Sequence, residues 1–497
     1  MKLNHITAAL AAGTVLASGA AQALPPTDVP DIEIFASGAT AQDKNIGQLF
    51  GELCVAGSLD TYKDTSNPSN PGSAHTAYFC TLDSSKVTGL SASNPKVLFH
   101  KRAAGGSAQG VNPVVDEQEI DAMVINNGNC TQTSANNYGC SISGAGSLVK
   151  KVSDMGVSDV NPEMFVGQNT PAGSDDVSAA KVSERLEVRS GGALVFNTPV
   201  TKALRDALQR AQIEAGTLTA GCAGQDTAAC MPSLSRQMVA SLFTGNIGKW
   251  SEIKVITSGG ASKPLTDYAV SGDTTDDKVY LCRRVNGSGT QAQFNAKFLN
   301  YPCTDSALTP SSASNPSSGP VVVLNSGSGD MDNCLKDFND GSNDSTQNAG
   351  GVKAWAIGIQ STERNADASR NYRFVKIDGQ APTLENAFAG RYFDFAEVTY
   401  QWRKTGFNGP TGDTLKIIEK IASDAGKPSI IAANNASFVH PFGNGGYLAV
   451  SANGFDVPTD GKFDANNPVT PYSHAPGGLS LNNCRIPVVD DKKANSL

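Results

Sequence analysis

Val279-Tyr280-Leu281-Cys282-Arg283-Arg284-Val285-Asn286-Gly287-Ser288-Gly289-Thr290 reads as an apolar strand that runs into a glycine turn. A helical pattern through Phe294 and Phe298 follows it. Two other segments share this layout. A strand over 32–35 runs into Ala36-Ser37-Gly38-Ala39-Thr40, ahead of a helical pattern over 42–53. A strand over 96–100 runs into Ala104-Gly105-Gly106-Ser107-Ala108-Gln109-Gly110. Repeated strand, glycine turn and helix predict an α/β fold with parallel sheets, whose ligands sit beyond the carboxyl ends of the strands.

Each turn can present several backbone N–H groups and a hydroxyl, and a helix start adds partial positive charge. Glycine matters there because a β-carbon would keep the backbone away from a ligand. Arg284 offers a planar fork suited to a phosphate-like group. Taken singly these signals are weak. A lone Gly-Ser-Gly also suits a linker. Ser107 and Thr40 also suit helix caps, and Asp159 suits a turn. Arg284 beside Arg283 also suits a solvated surface pair. Together they point to a small oxyanion.

Composition narrows the classes. The chain has 497 residues, 39% of them hydrophobic and 17% charged, with 50 Gly and 25 Pro. That is enough apolar content for real cores, and the length suits about two to four domains. The formal net charge of −8 argues against non-specific binding to nucleic acid or anionic membranes. At the N-terminus Lys2 precedes an apolar run over 6–21, and Ala21-Gln22-Ala23 is a small-residue cleavage pattern. Residues 1–23 are expected to be a secretory signal peptide. No cysteine sits near the cut to carry a lipid, and no later stretch is long and apolar enough for a membrane span. A periplasmic or secreted protein without a membrane anchor is expected.

Ten cysteines fit that compartment: Cys54, Cys80, Cys130, Cys140, Cys222, Cys230, Cys282, Cys303, Cys334 and Cys484. An even count in an oxidising compartment suggests five disulfides. Proximity favours 54–80, 130–140, 222–230 and 282–303, leaving 334–484, although spacing alone does not fix the pairing. No CxxC pair exists and His75, His100, His440 and His474 are scattered, so no metal or other cofactor is expected.

Between the motifs, 56–90, 126–145 and 305–320 read as polar loops. Strands are expected over 192–198, 321–324, 355–359 and 372–377. A second glycine loop, Ser326-Gly327-Ser328-Gly329-Asp330, follows the strand at 321–324. Helices are expected over 234–243 and around Leu415, Ile418 and Ala422, with a stop at Gly426.

At these residues the chain resembles the PstS-like periplasmic phosphate-binding proteins of the type II periplasmic binding protein superfamily, including their DING-type relatives. The family's G-A-T turn matches Gly38-Ala39-Thr40, its G-S-S-G-G-V loop resembles 106–111, and its G-A-S-D resembles Gly156-Val157-Ser158-Asp159. Its R-x-x-G-S-G-T is present in full from Arg284 to Thr290, and the segment 242–253 around Trp250 is similar to another family stretch. Ala41, Ala108, Gln109 and Asn286 depart from the family pattern.

The resemblance implies a two-lobed fold with a hinge and a ligand cleft between the lobes. Lobe I would comprise 24–190 plus 395–497, and lobe II 191–394. The chain would cross near 191–197 and return near 395–400. The resemblance also implies that Thr40, Ser107, Ser288, Gly289 and Thr290 donate to phosphate oxygens, while Arg284 supplies the charged contact. Asp159 would accept the proton still carried by phosphate. Sulfate has no such proton, and would meet Asp159 as a buried like charge. The function implied is phosphate binding for uptake or scavenging by a non-enzymatic monomer, with an ABC permease as partner. Arsenate or sulfate would be other oxyanions for such a site. A surface or matrix interaction protein, or a phosphatase-like enzyme on the same fold, are the alternatives. The enzyme reading lacks a histidine near any of the turns to serve as base or metal ligand.

Overall fold

The computed structural model describes residues 24–274 and 276–490. The expected leader, 1–23, and the end of the chain, 491–497, lie outside the described residues. The elements that place the site are, in chain order, β1 (Ile32–Gly38), α1 (Asp43–Leu53), β2 (Lys96–Arg102), β3 (Met155–Ser158) and β4 (Leu186–Asn197). They continue with β5 (Asp276–Arg284), α2 (Gly289–Leu299), β6 (Val321–Asn325), α3 (Ser328–Asp340), β7 (Ala354–Gly358), β8 (Phe395–Arg403), α4 (Gly412–Ala425) and β9 (Tyr447–Val450).

The architecture is α/β. In the larger sheet β1 runs parallel to β2 on one side and to β3 on the other. In the smaller, five-stranded sheet β5 lies between β6 and β7, again in parallel. Both sheets therefore send a group of parallel strand ends toward helix starts. The helices form for ordinary reasons. Ile417, Ile418, Ile421, Ala422 and Ala425 recur at helical spacing and bury one face of α4. Ser288 caps α2 by accepting from the Gln291 backbone N–H at 3.3 Å, and Asn300 ends that helix in the left-handed region at φ 58°.

Two large apolar cores lie on either side of a shared wall. The wall is β4, paired antiparallel to both β8 and β9. Leu194, Phe196, Ala396, Val398, Tyr447 and Ala449 belong to the first core. Their neighbours Ala193, Val195, Phe395, Leu448 and Val450 belong to the second. Side chains on a strand alternate between faces, so an unbroken apolar run serves two cores at once. Helix α2 is wedged in the same way, giving Ala292 and Ala296 to the first core and Phe294, Phe298 and Leu299 to the second.

Several expectations change. The segments 56–90 and 126–145 are not simple loops. They contain strands Asp60–Asp64 and His75–Thr81, then Cys130–Ser134 and Asn137–Cys140, which extend the large sheet beyond β2. Their Ser, Asn and Gly content hides short strands whose buried side are Tyr62, Ala77, Phe79 and Tyr138. The stretch 372–377 is two short strands in different sheets, Tyr372–Arg373 and Lys376–Ile377. The residues after 426, for which the sequence suggests no role, supply β9 and the helix Pro428–Asn435.

All ten cysteines are paired. The bridges 54–80, 130–140 and 222–230 are as proximity suggests. The other two are corrected: Cys282 pairs with Cys334 and Cys303 with Cys484. Cys282 lies on β5 and Cys334 on α3, which packs on that sheet, whereas Cys303 lies beyond the end of α2 and is brought to the tail. Chain neighbours on a strand and past a helix are far apart in space, so sequence distance misleads here. Five disulfides fit an exported protein. Among the described residues no helix is long and apolar enough to cross a membrane.

Cys303–Cys484 closes a sequence separation of 181 residues and pins the tail. Replacing both cysteines by Ser should lower stability by about 3–5 kcal/mol in chemical denaturation, as expected for a long closed loop. Peptide mapping without reduction should recover 282 with 334. A Cys282–Cys303 peptide would contradict the assignment.

Candidate functional site

The parallel strand ends of both sheets meet. From the larger sheet come Thr40 after β1, Ser107 in the loop after β2, and Asp159 directly after β3. From the smaller sheet come Arg284 at the end of β5, Ser288, Gly289 and Thr290 at the start of α2, and Ser328 at the start of α3. Each is buried except Thr40, which is partly exposed.

Arg284 is the hub. Its Nη2 donates to Thr40 Oγ1 at 3.3 Å and to the Ser326 carbonyl at 2.7 Å. Its Nη1 faces Ser328 Oγ at 3.4 Å and Thr290 Oγ1 at 3.5 Å, and its Nε donates to the Asn325 carbonyl at 3.2 Å. Thr40 Oγ1 and Ser328 Oγ are 3.0 Å apart. On the other side Thr290 Oγ1 donates to Asp159 Oδ2 at 3.2 Å, and the Asp159 backbone N–H donates to Ser107 Oγ at 3.1 Å. Asp159 Oδ1 is buried and has no hydrogen-bond partner among the described residues. A guanidinium, a carboxylate and a set of hydroxyls thus share one small space.

Backbone close approach explains the glycines. A β-carbon on Gly289 would sit 2.2 Å from Ser107 Oγ and 2.8 Å from Asp159 Cβ, so only glycine lets α2 come this near the larger sheet. Gly38 has φ +124°, and a β-carbon there would lie 2.0 Å from the Val157 carbonyl oxygen. The turn after β1 is held from beneath by Lys101. Its Nζ donates to the carbonyls of Gly38 and Ala39 at 3.1 and 3.3 Å and to Asp43 Oδ1 at 2.8 Å.

Burial sets the electrostatics. It pushes the Asp159 carboxyl up to about 6, against the opposing pull of the Arg284 charge and the Thr290 hydrogen bond. It also lowers Arg284 to about 10, which leaves the guanidinium charged at neutral pH. At pH 7 the site therefore holds one full positive charge, a predominantly ionised carboxylate and several hydroxyl and N–H donors.

All seven residues singled out in the sequence, Thr40, Ser107, Asp159, Arg284, Ser288, Gly289 and Thr290, are brought into this one neighbourhood. The Ser288 oxygen serves as the cap of α2. Sequence reasoning missed Ser328 and Lys101. The signal for Ser328 was present, since Ser326–Asp330 repeats the strand–turn–helix layout and its strand, β6, is the parallel neighbour of β5. Lys101 carried no motif. A polar cavity of about 210 Å³ adjoins the cluster, bordered by Thr40, Lys44, Lys63, Asn70, Ser328 and Arg364. A larger one of about 810 Å³, around Lys86, Arg189, Trp402 and Phe455, touches none of the site residues. Among the described residues no His, Cys, Asp and Glu cluster could hold a metal ion.

The raised Asp159 carboxyl predicts a pH signature in the ligand-free protein. Its ordinary value is 3.8. Stability should therefore fall as pH rises from about 4 through about 6, because folding penalises the ionised form. Asp159→Asn should raise stability at pH 7.5 by on the order of 2–3 kcal/mol and give no gain at pH 4, read by thermal unfolding. Equal effects at both pH values would contradict the assigned electrostatics.

No protein-family model matches the chain, and no curated protein matches it. Several solved structures are similar to it. An ABC-type phosphate transport receptor from Vibrio cholerae is 11% identical, with 81% of this chain and 98% of that one covered and a TM-score of 0.37. The ancestral soluble variant of the Human Phosphate Binding Protein is 13% identical, with 83% and 91% covered and a TM-score of 0.39. A DING protein is 14% identical, with 82% and 91% covered and a TM-score of 0.39.

Proposed function

We propose that the chain binds inorganic phosphate between two lobes and does not turn it over, as an exported solute-binding protein for phosphate uptake or scavenging. The observation that carries this reading is the pairing of a buried Arg284 guanidinium with a buried Asp159 carboxylate across one group of hydroxyls. Phosphate near neutral pH is both an anion and a hydrogen-bond donor. Arg284, the N–H groups at the start of α2 and the hydroxyls of Thr40, Thr290 and Ser328 would meet its charged oxygens. The free Oδ1 of Asp159 would accept from its P–OH group. A fully ionised oxyanion would leave that carboxylate facing a like charge.

The lobes in this reading are 24–190 with 395–497, and 191–394. The hinge would lie in β4 and β8. The β4–β8 register breaks between Ser190 and Ala193, at Gly191 and Gly192, which supports a bend there. Ligand contacts from both lobes would favour the closed form, because only that form supplies the full set. The protein would act as a monomer in the periplasm or outside the cell, with a membrane permease as the partner for uptake.

Calorimetric titration of the ligand-stripped protein with phosphate tests the reading. Binding at micromolar concentration or tighter is expected. Arg284→Ala should lose about 2–5 kcal/mol of it, as for a truncated buried charge contact. Absence of binding in a folded protein would overturn the reading and favour an interaction protein built on the same fold.

A further inference from the structure

The segment after the expected Ala21-Gln22-Ala23 cut is held at a place suited to a free amino terminus. Leu24 is 5% exposed and belongs to a third apolar cluster, with Tyr62, Phe79, Leu98 and Cys140. Tyr62 Oη donates to the Leu24 carbonyl at 2.7 Å. Just downstream, Asp28 pairs with Lys96 at 2.8 Å and the Asp31 carboxylate accepts from the Lys96 backbone N–H at 2.8 Å, which anchors the segment along β2. The start of the described chain is thus bound through its side chain, its carbonyl and the turn that follows.

The Leu24 backbone, held by Tyr62, lies over the strand face that also carries a buried carboxylate two residues before Tyr62. Asp60, on the strand Asp60–Asp64, is 0% exposed, and the nearby Leu24 backbone is the group that favours its charge. Neither Asp60 oxygen has a hydrogen-bond partner among the described residues. No Lys, Arg or His of the described residues forms an ion pair with it, whereas Asp64 on the same strand accepts from the backbone of Ala74 and His75. Burial pushes the Asp60 carboxyl up to about 6. A buried carboxylate without a countercharge is costly, and an amide N–H offers it one donor and no charge. An α-ammonium on the same atom would offer three donors and a full positive charge.

We propose that removal of residues 1–23 gives Leu24 an α-ammonium group that pairs with the Asp60 carboxylate, so that only the processed chain completes this corner of the fold. Hydrolysis adds water across the Ala23–Leu24 amide. The new carboxylate departs on Ala23, and the amine left on Leu24 takes up a proton. Leader removal then does more than release the protein, because it supplies the charge that the site lacks. The inference is independent of the anion site.

The test uses the exported, processed chain, with its first residue established by mass spectrometry. Acylation of the Leu24 α-amine near pH 7 should be slower in the folded wild type than in the unfolded chain by roughly tenfold or more, the factor for each unit by which ion pairing raises its pKa. In folded Asp60→Asn the amine should regain reactivity. Two residues, Gln-Ala, restored before Leu24 should lower the thermal midpoint in the Asp60 background and have little effect in the Asp60→Asn background. A different first residue, equal labelling in folded and unfolded wild type, or the same loss from the extension in both backgrounds would overturn the proposal. If Asp60→Asn does not fold, labelling of the folded and unfolded wild type decides the matter.

Discussion

The meeting of Arg284 and Asp159 across shared hydroxyls is the constraint around which this molecule is arranged. Neither group is stable alone in a buried space. Each has lost its water, and each tolerates its charge partly because the other is present. To bring them together the chain must end parallel strands from two sheets at one point, and must start α2 so near the larger sheet that only Gly289 fits. The Lys101 contacts under the first turn and the Ser328 contact from α3 complete the enclosure. The site is therefore a product of both cores.

The wall between those cores follows from the same requirement. Residues 193–196 of β4 and all of β9 are apolar without interruption because each face meets a different core, while β8 interleaves the buried Glu397, Thr399 and Gln401 with its apolar positions. A helix with one apolar face could not serve as the wedge, and α2 is buried on nearly all sides apart from Lys297. The tail reinforces the junction. Asn483 binds both the Glu397 backbone N–H at 3.0 Å and Asn161, two residues beyond Asp159, through its own backbone N–H at 2.9 Å. Cys484 beside it is tied to Cys303. The end of the chain thus braces the strand that returns between the cores and the segment that carries Asp159.

Much of the candidate site was legible because its parts are local. A strand, a glycine turn and a hydroxyl occupy a few consecutive residues, and Arg284 to Thr290 holds four of the seven residues singled out. What stayed hidden depends on contacts distant in sequence. Ser328 joins the cluster only because β6 lies beside β5. Lys101 acts through carbonyls on another strand. The bridges 282–334 and 303–484 follow helix packing and the path of the tail, not proximity. The strands at 60–64 and 75–81 are short and set in a stretch rich in Ser, Asn and Gly, so their alternation was too brief to stand out. Asp60 showed nothing unusual until the burial of Leu24 beside it was known.

The central claim is that Asp159 makes this a site for a protonated oxyanion. The direct measurement is a paired calorimetric titration of the ligand-stripped protein with phosphate and with sulfate at one pH and ionic strength, repeated for Asp159→Asn. The account predicts that the unaltered protein binds phosphate and rejects sulfate, and that the substitution narrows the gap. Sulfate binding as tight as phosphate binding in the unaltered protein would contradict it.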